Sequence, residues 1–177
     1  MVVGAPDVDQ VIDEVGTDAA RFTLLQFSND STVNFDIEVV KQQTMENPVY
    51  YVQYGHARIA SILRKAEARG VSRKPIADVD LSLLTHESEL ALLRAIAEIP
   101  AKVTAAAEHR APHRLTHMSQ DLAARFHRFY TDCRVMSDDE ALTQARLWLA
   151  TGTKQVISNL LGLLGVSAPE MMERADD

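Results

Sequence analysis

The sequence has a single cysteine, Cys133, which excludes an internal disulfide and any zinc site built from several thiolates of one chain. No apolar run approaches the roughly 18 residues that a membrane-spanning helix needs. The opening MVVGAPDVDQ also lacks the basic stretch followed by an apolar one that marks a secretory leader. The chain therefore reads as soluble and cytoplasmic. Glycine and proline are scarce, at seven and six in 177 residues, and no segment is of low complexity, which excludes a collagenous or disordered chain. Enzyme signatures are missing too. There is no glycine loop to cradle a phosphate, no GxSxG elbow and no pair of carboxylates in a distinctive context.

What is present is enough apolar material, 46%, for one substantial core. The net charge of −7 would by itself disfavour nucleic acid, because phosphate binding is driven by Lys and Arg displacing counterions. Its distribution qualifies that. Residues 1–46 hold two basic and nine acidic side chains, and residues 155–177 hold one and four. Between them, 47–101 carry seven basic against six acidic and 102–154 eight against six, so a local basic face is compatible with the acidic total.

Punctuation is helical almost everywhere, and no segment alternates like a strand. DVDQVIDEVG predicts a short helix ending at Gly16, with Thr17 capping a second run through Leu24. SNDSTVN predicts a loop, and FDIEVVKQQTME a further short helix capped by Asp36. Asn47 before Pro48 predicts a cap followed by proline at the first helical position, opening a helix that Gly70 closes. VSRKPIADVDLSLL predicts a linker. Thr85 or Ser88 should start the next helix, Pro100 a short one and Pro112 a long one through HRLTHMSQDLAARFHRFYTDCRV. Ser137 and Glu140 predict a capping box for a last helix reaching about Gly165, with Leu142, Ala145, Leu149, Val156, Leu160 and Leu163 on its buried face.

Three constellations bear on function. On the Pro48 helix, Val49, Val52, His56, Ile59, Leu63 and Ala66 share one stripe, which makes His56 a hydrogen-bonded core residue rather than a catalyst. Tyr50, Tyr54, Arg58, Ser61 and Lys65 share a second stripe, suited equally to stacking on bases with phosphate pairing and to packing against a neighbouring domain. His109, His113 and His117 recur every four residues, a spacing that can share a metal. Pro112 interrupts them and no carboxylate completes a ligand set, so no metal site is assigned. Residues 110–134 hold five arginines against two acids; Arg114, Arg125 and Arg128 read either as a solvated face or as a phosphate track, with Phe129 or Tyr130 available to stack.

Taken together, VDQVIDEVGTDAARFTLL, FDIEVVKQQTMENPVYYVQYGHARIASILRKA, APHRLTHMSQDLAARFHRFYTDCRV and ARLWLATGTKQVISNLLGLLGVSAPEMM resemble, in order, the C-terminal part of arginyl-tRNA synthetase, a class I aminoacyl-tRNA synthetase. The resemblance runs from about residue 8 to 172. It implies an all-α fold, a helical bundle of the DALR anticodon-binding type over 47–177. Short helices precede it over 1–46, resembling the end of the synthetase catalytic region. It also implies tRNA(Arg) as partner. Tyr130 and Met172 match positions expected near the anticodon loop, while Arg114, Arg125, Arg128 and Arg134 are assigned to the RNA backbone from their charge. Tyr50, Tyr54 and Arg58 would lie on the face toward the catalytic domain or another protein partner, and would be an exposed patch without it. The His-Ile-Gly-His and Lys-Met-Ser-Lys motifs of the family are not in this sequence, so the expectation is no catalytic residue and no cofactor here. ATP and magnesium belong with the catalytic domain. YGHAR stands where the family has YAHAR, and PEMMERADD where it has PERM. Those differences raise two origins, a freestanding paralogue or a piece of a longer chain. The net charge of −7 and the acidic ends, which would repel tRNA at long range, raise one alternative function, a scaffold domain that has lost RNA binding.

Overall fold

The computed structural model describes residues 8–28, 31 and 36–173, and among these every regular element is helical. Three short helices come first: α1 Val8–Val15, α2 Thr17–Leu25 and α3 Ile37–Lys41. Four long ones follow: α4 Pro48–Ala68, α5 Glu87–Glu108, α6 His113–Asp132 and α7 Glu140–Leu163. α6 and α7 pack on each other and each packs on both α4 and α5, with α2 laid against α4. Phe22 of α2 and Val40 of α3 join the same apolar cluster as Ile59, Leu92, Phe126, Phe129, Leu147 and Ile157, so the short helices share the core of the long ones. Most of the predicted SNDSTVN loop, residues 29–30 and 32–34, lies outside the described residues.

The local chemistry explains the start of α4. Asn47 accepts the N–H groups of Val49 and Tyr50 at 3.1 and 3.5 Å and donates its amide to the carbonyls of Val40 and Gln42 at 2.8 and 3.0 Å. One buried side chain thus caps α4 and fastens the segment leaving α3. Gly70, at φ 79°, ends the helix, with Val71 N–H reaching back to Ala66 at 2.9 Å. Asp36 caps α3 as expected.

Elsewhere the starts differ from expectation. Thr17 is the first residue of α2 rather than its cap; Gly16, at φ 83°, makes the turn. Neither Thr85 nor Ser88 caps α5. His86 does, its Nδ1 accepting Ser88 N–H at 3.2 Å while Glu89 Oε2 accepts His86 N–H at 2.9 Å, the reciprocal pattern of a capping box. α5 then continues through Pro100, which loses one ladder bond but lies between two strongly helical stretches, IleAlaGluIle before it and an alanine-rich run after. α7 is capped by Asp139, which accepts Leu142 N–H at 3.1 Å; Ser137 instead donates to the Asp139 carbonyl and holds Thr143. Leu163 is 61% exposed, while Leu147, Ala150 and Ile157 are fully buried, because α7 is surrounded by three long helices on more than one side.

Candidate functional site

Gly165, at φ 67°, turns the chain out of α7, and the Arg21 guanidinium occupies the space a Cβ there would need while donating to the Gly165 carbonyl at 2.9 Å. The strap that follows runs along α4. Asp18 holds the N–H and hydroxyl of Ser167, and Gln53 donates to the Ser167 carbonyl at 3.0 Å. His56 Nδ1 lies 2.9 Å from the carbonyl of Pro169, an acceptor, so that nitrogen carries the proton. Burial holds the His56 ring below the ordinary histidine range. Its place in the core is as the sequence predicts. Glu170 is clamped by Lys154 at 2.6 Å, which lowers its pKa, and Arg64 donates to its carbonyl at 3.1 Å. Tyr50 closes the series by donating to the Glu173 carbonyl at 2.9 Å.

The strap brings Met171 and Met172 over a cavity of about 720 Å³. α4 supplies Tyr54, Arg58, Ser61, Arg64 and Lys65, and its C-cap is Arg69; the end of α6 supplies Tyr130 and Thr131; and the turn after it supplies Cys133 to Met136. Two stripes read separately from the sequence therefore meet here. Tyr54 and Arg58 face Tyr130, Arg134 and Met172 across one space. The Arg58 guanidinium sits 4.6 Å from the ring centre of Tyr130 and 5.6 Å from that of Tyr54, and donates to the Tyr54 hydroxyl at 2.5 Å. Tyr54 is itself stacked on Tyr50 at 6.0 Å and on His127 at 6.1 Å. Tyr130 is 36% exposed. Five lining residues are cationic, Arg58, Arg64, Lys65, Arg69 and Arg134, and none is acidic. In a chain of net charge −7 that is a local reversal of sign.

Other expected site residues lie elsewhere. Arg125 and Arg128 face α5 beside Glu87 and Ser88, and each is paired on its own helix, Arg125 with Asp121 at 2.8 Å and Arg128 with Asp132 at 3.6 Å. The Asp121 bond raises the Arg125 pKa further. Arg114 is exposed near the other end of α6, about 24 Å along the axis from Tyr130. Tyr50 is 6% exposed beneath the strap, so the patch expected at Tyr50, Tyr54 and Arg58 is reduced to the two residues that reach the cavity. Arg64 and Arg69 were not foreseen, although Arg69 continues the Arg58, Ser61, Lys65 spacing by one more turn. His113 and His117 meet edge to face at 6.2 Å, and among the described residues no three His, Cys, Asp or Glu side chains converge as metal ligands. A second cavity, about 900 Å³ between α1 to α3 and the end of α7, is lined mainly by aliphatic groups with Arg21 as the charged residue among those lining it, and that charge is engaged by Gly165. It offers little chemistry.

Residues 52–172 match the DALR anticodon binding domain. The chain belongs to that family. The chain is similar to the arginine–tRNA ligase of Syntrophotalea carbinolica, with 50% identity over 163 residues, 92% of this chain and 29% of the relative. Solved structures share its fold. A protein described as an arginyl-tRNA synthetase of Campylobacter jejuni superimposes with a TM-score of 0.81 at 30% identity, over 97% of this chain and 37% of that one. The Thermus thermophilus arginyl-tRNA synthetase gives 0.75 at 31% identity, over 96% and 28%. The chain thus spans less than a third of the length of the curated relatives it matches. The DALR match takes in the cavity wall from α4 through α6 to Met172.

Proposed function

We propose that this chain binds the anticodon stem and loop of an arginine tRNA through the cavity between α4, the end of α6 and the strap. The observation that carries this reading is the set of five cations around Tyr54 and Tyr130, of which Arg64 faces Glu170 at 3.9 Å, in a cavity whose lining holds no carboxylate. Tyr130 offers a ring face on which an unpaired base can stack, and Arg58, already held between two tyrosine rings, is ordered before RNA arrives. Lys65, Arg69 and Arg134 pair with phosphates, and Met171 and Met172 form an apolar wall against a splayed base. Arginine activation, with ATP and magnesium, belongs to the catalytic part of the relatives, so this chain alone catalyses no adenylation. It meets that part, or a separate protein carrying it, in the cytoplasm. Among the described residues no helix is long and apolar enough to cross a membrane. No observation favours the scaffold reading.

The test is equilibrium binding of an arginine tRNA transcript, measured by fluorescence anisotropy at increasing salt. Affinity should fall on the order of 10² between 50 and 200 mM salt for about four or five phosphates neutralised. Arg58→Ala should weaken binding about tenfold, whereas Arg125→Ala, whose charge is already engaged by Asp121, should change it by less than about threefold. No binding by the unmodified chain at low salt, or equal losses for the two variants, would overturn the assignment to this cavity.

A further inference from the structure

The wall formed by Cys133 to Met136 is irregular backbone between α6 and α7, and what holds it lies behind it, away from the cavity. Glu89 of α5 is 1% exposed. Its Oε1 accepts Arg146 Nε–H at 2.6 Å and its Oε2 the backbone N–H of His86 at 2.9 Å. Arg146 of α7 uses a second N–H, on Nη1, to reach the carbonyl of Arg134 at 2.8 Å. A buried ion pair is a costly way to join two helices, since apolar side chains of similar volume do so equally well. It can do something they cannot. The planar guanidinium, fixed by Glu89 through one edge, presents another donor at a set angle to an outside acceptor. That acceptor is the backbone of a residue whose side chain lines the proposed RNA site.

We propose that Glu89 and Arg146 are positioning residues: the pair holds the Arg134 carbonyl and thereby sets where the Arg134 side chain, Val135 and Met136 stand in the cavity. The proposal rests on the RNA-binding reading for its consequence, but its physical content, a wall held from behind, is testable without RNA. Two further bonds report on the same segment. Cys133 N–H donates to the Phe129 carbonyl at 2.8 Å, and Ser137 N–H to Thr143 Oγ1 at 3.0 Å.

The variants are Arg146→Lys, which keeps a cation beside Glu89 but lacks the fork that serves two acceptors, and Glu89→Gln, which keeps shape and one acceptor oxygen. In Arg146→Lys, hydrogen exchange at Cys133 and Ser137 should accelerate about tenfold while the middle of α4 and α7 keeps its protection, and affinity for the arginine tRNA transcript should fall about tenfold, the loss of one charge-assisted bond. Glu89→Gln should show the same pattern to a smaller degree. Exchange that rises equally throughout the chain would make the pair merely structural and overturn the proposal. So would unchanged exchange at the two amides, or a loosened wall with full RNA affinity. If the unmodified chain binds no RNA while the local exchange still responds to Arg146→Lys, the RNA-binding reading fails and the holding of the wall stands.

Discussion

Gly55 sits in the middle of α4, buried against α6, where a glycine costs a helix about 0.5–1 kcal/mol relative to alanine. Such a glycine is usually kept because a neighbour leaves no room for a Cβ. Here there is room. A Cβ would meet Ala123 Cβ at 3.5 Å and His127 Nε2 at 3.8 Å, both ordinary contacts. Gly55→Ala should therefore stabilise the fold by about 0.5–1 kcal/mol, partly by restricting the unfolded chain, and a urea midpoint will read it directly. A lower midpoint would mean that His127, whose Nε2 is buried without a hydrogen-bond partner, cannot share its space. The sequence already pointed to this position, because the family resemblance has alanine there. What it could not supply was the distance to α6 that decides the sign.

At the scale of elements, the sequence was most legible where one residue's chemistry decides the matter. Asn47 and Pro48 start α4, Asp36 starts α3, and Gly70 and Gly165 end their helices through positive φ, each a local decision. It was least legible where several residues compete for one role. Ser88 and Ser137 are good caps by type, yet His86 and Asp139 take the backbone donors, because both serines have other hydroxyl partners in the folded chain. The strap carries no periodicity at all, so its course along α4 was hidden, although Met172 itself was singled out by resemblance. Among the described residues, Glu170 is the one point at which an ionised side chain of the strap helps to fix that course. Glu170→Gln weakens the Lys154 and Arg64 contacts, which are partly exposed and add less than about 1 kcal/mol to stability. The same change loosens the strap beside Met171 and Met172, leaving it the backbone bonds from His56, Arg64 and Tyr50. The expected result is an unchanged thermal midpoint with RNA affinity lowered about threefold to tenfold, since ordering the strap is then left to the binding step. Equal affinity for variant and parent would show that the strap needs no anchor at Glu170.

For the molecule as a whole, acid sets two electrostatic effects against each other, and their balance can be predicted. The chain carries a net −7 and its isoelectric point is near 5.3, so lowering the pH from 7.5 to 5.5 removes most of its self-repulsion and by that route should stabilise it. His56 and His127 act in the opposite sense. Burial lowers the pKa of both rings below the ordinary 6.5, with Lys154 adding to the effect at His56 and Arg58 at His127. As pH falls through 6.5 the unfolded chain takes up protons that the folded rings refuse, so stability drops, and it levels off only when the folded rings protonate as well. The carboxylates of Glu98, Glu140 and Glu170, lowered by their lysine partners, add a further decline below about 4.5. The prediction is a lower thermal midpoint at pH 5.5 than at 7.5. In His127→Phe, which removes one of the two buried rings, the drop should shrink. A midpoint that rises on acidification in both proteins would mean that net charge outweighs the buried histidines. A drop of the same size in both would locate it away from His127, leaving His56 and its bond to the strap as the acid-sensitive part of the fold.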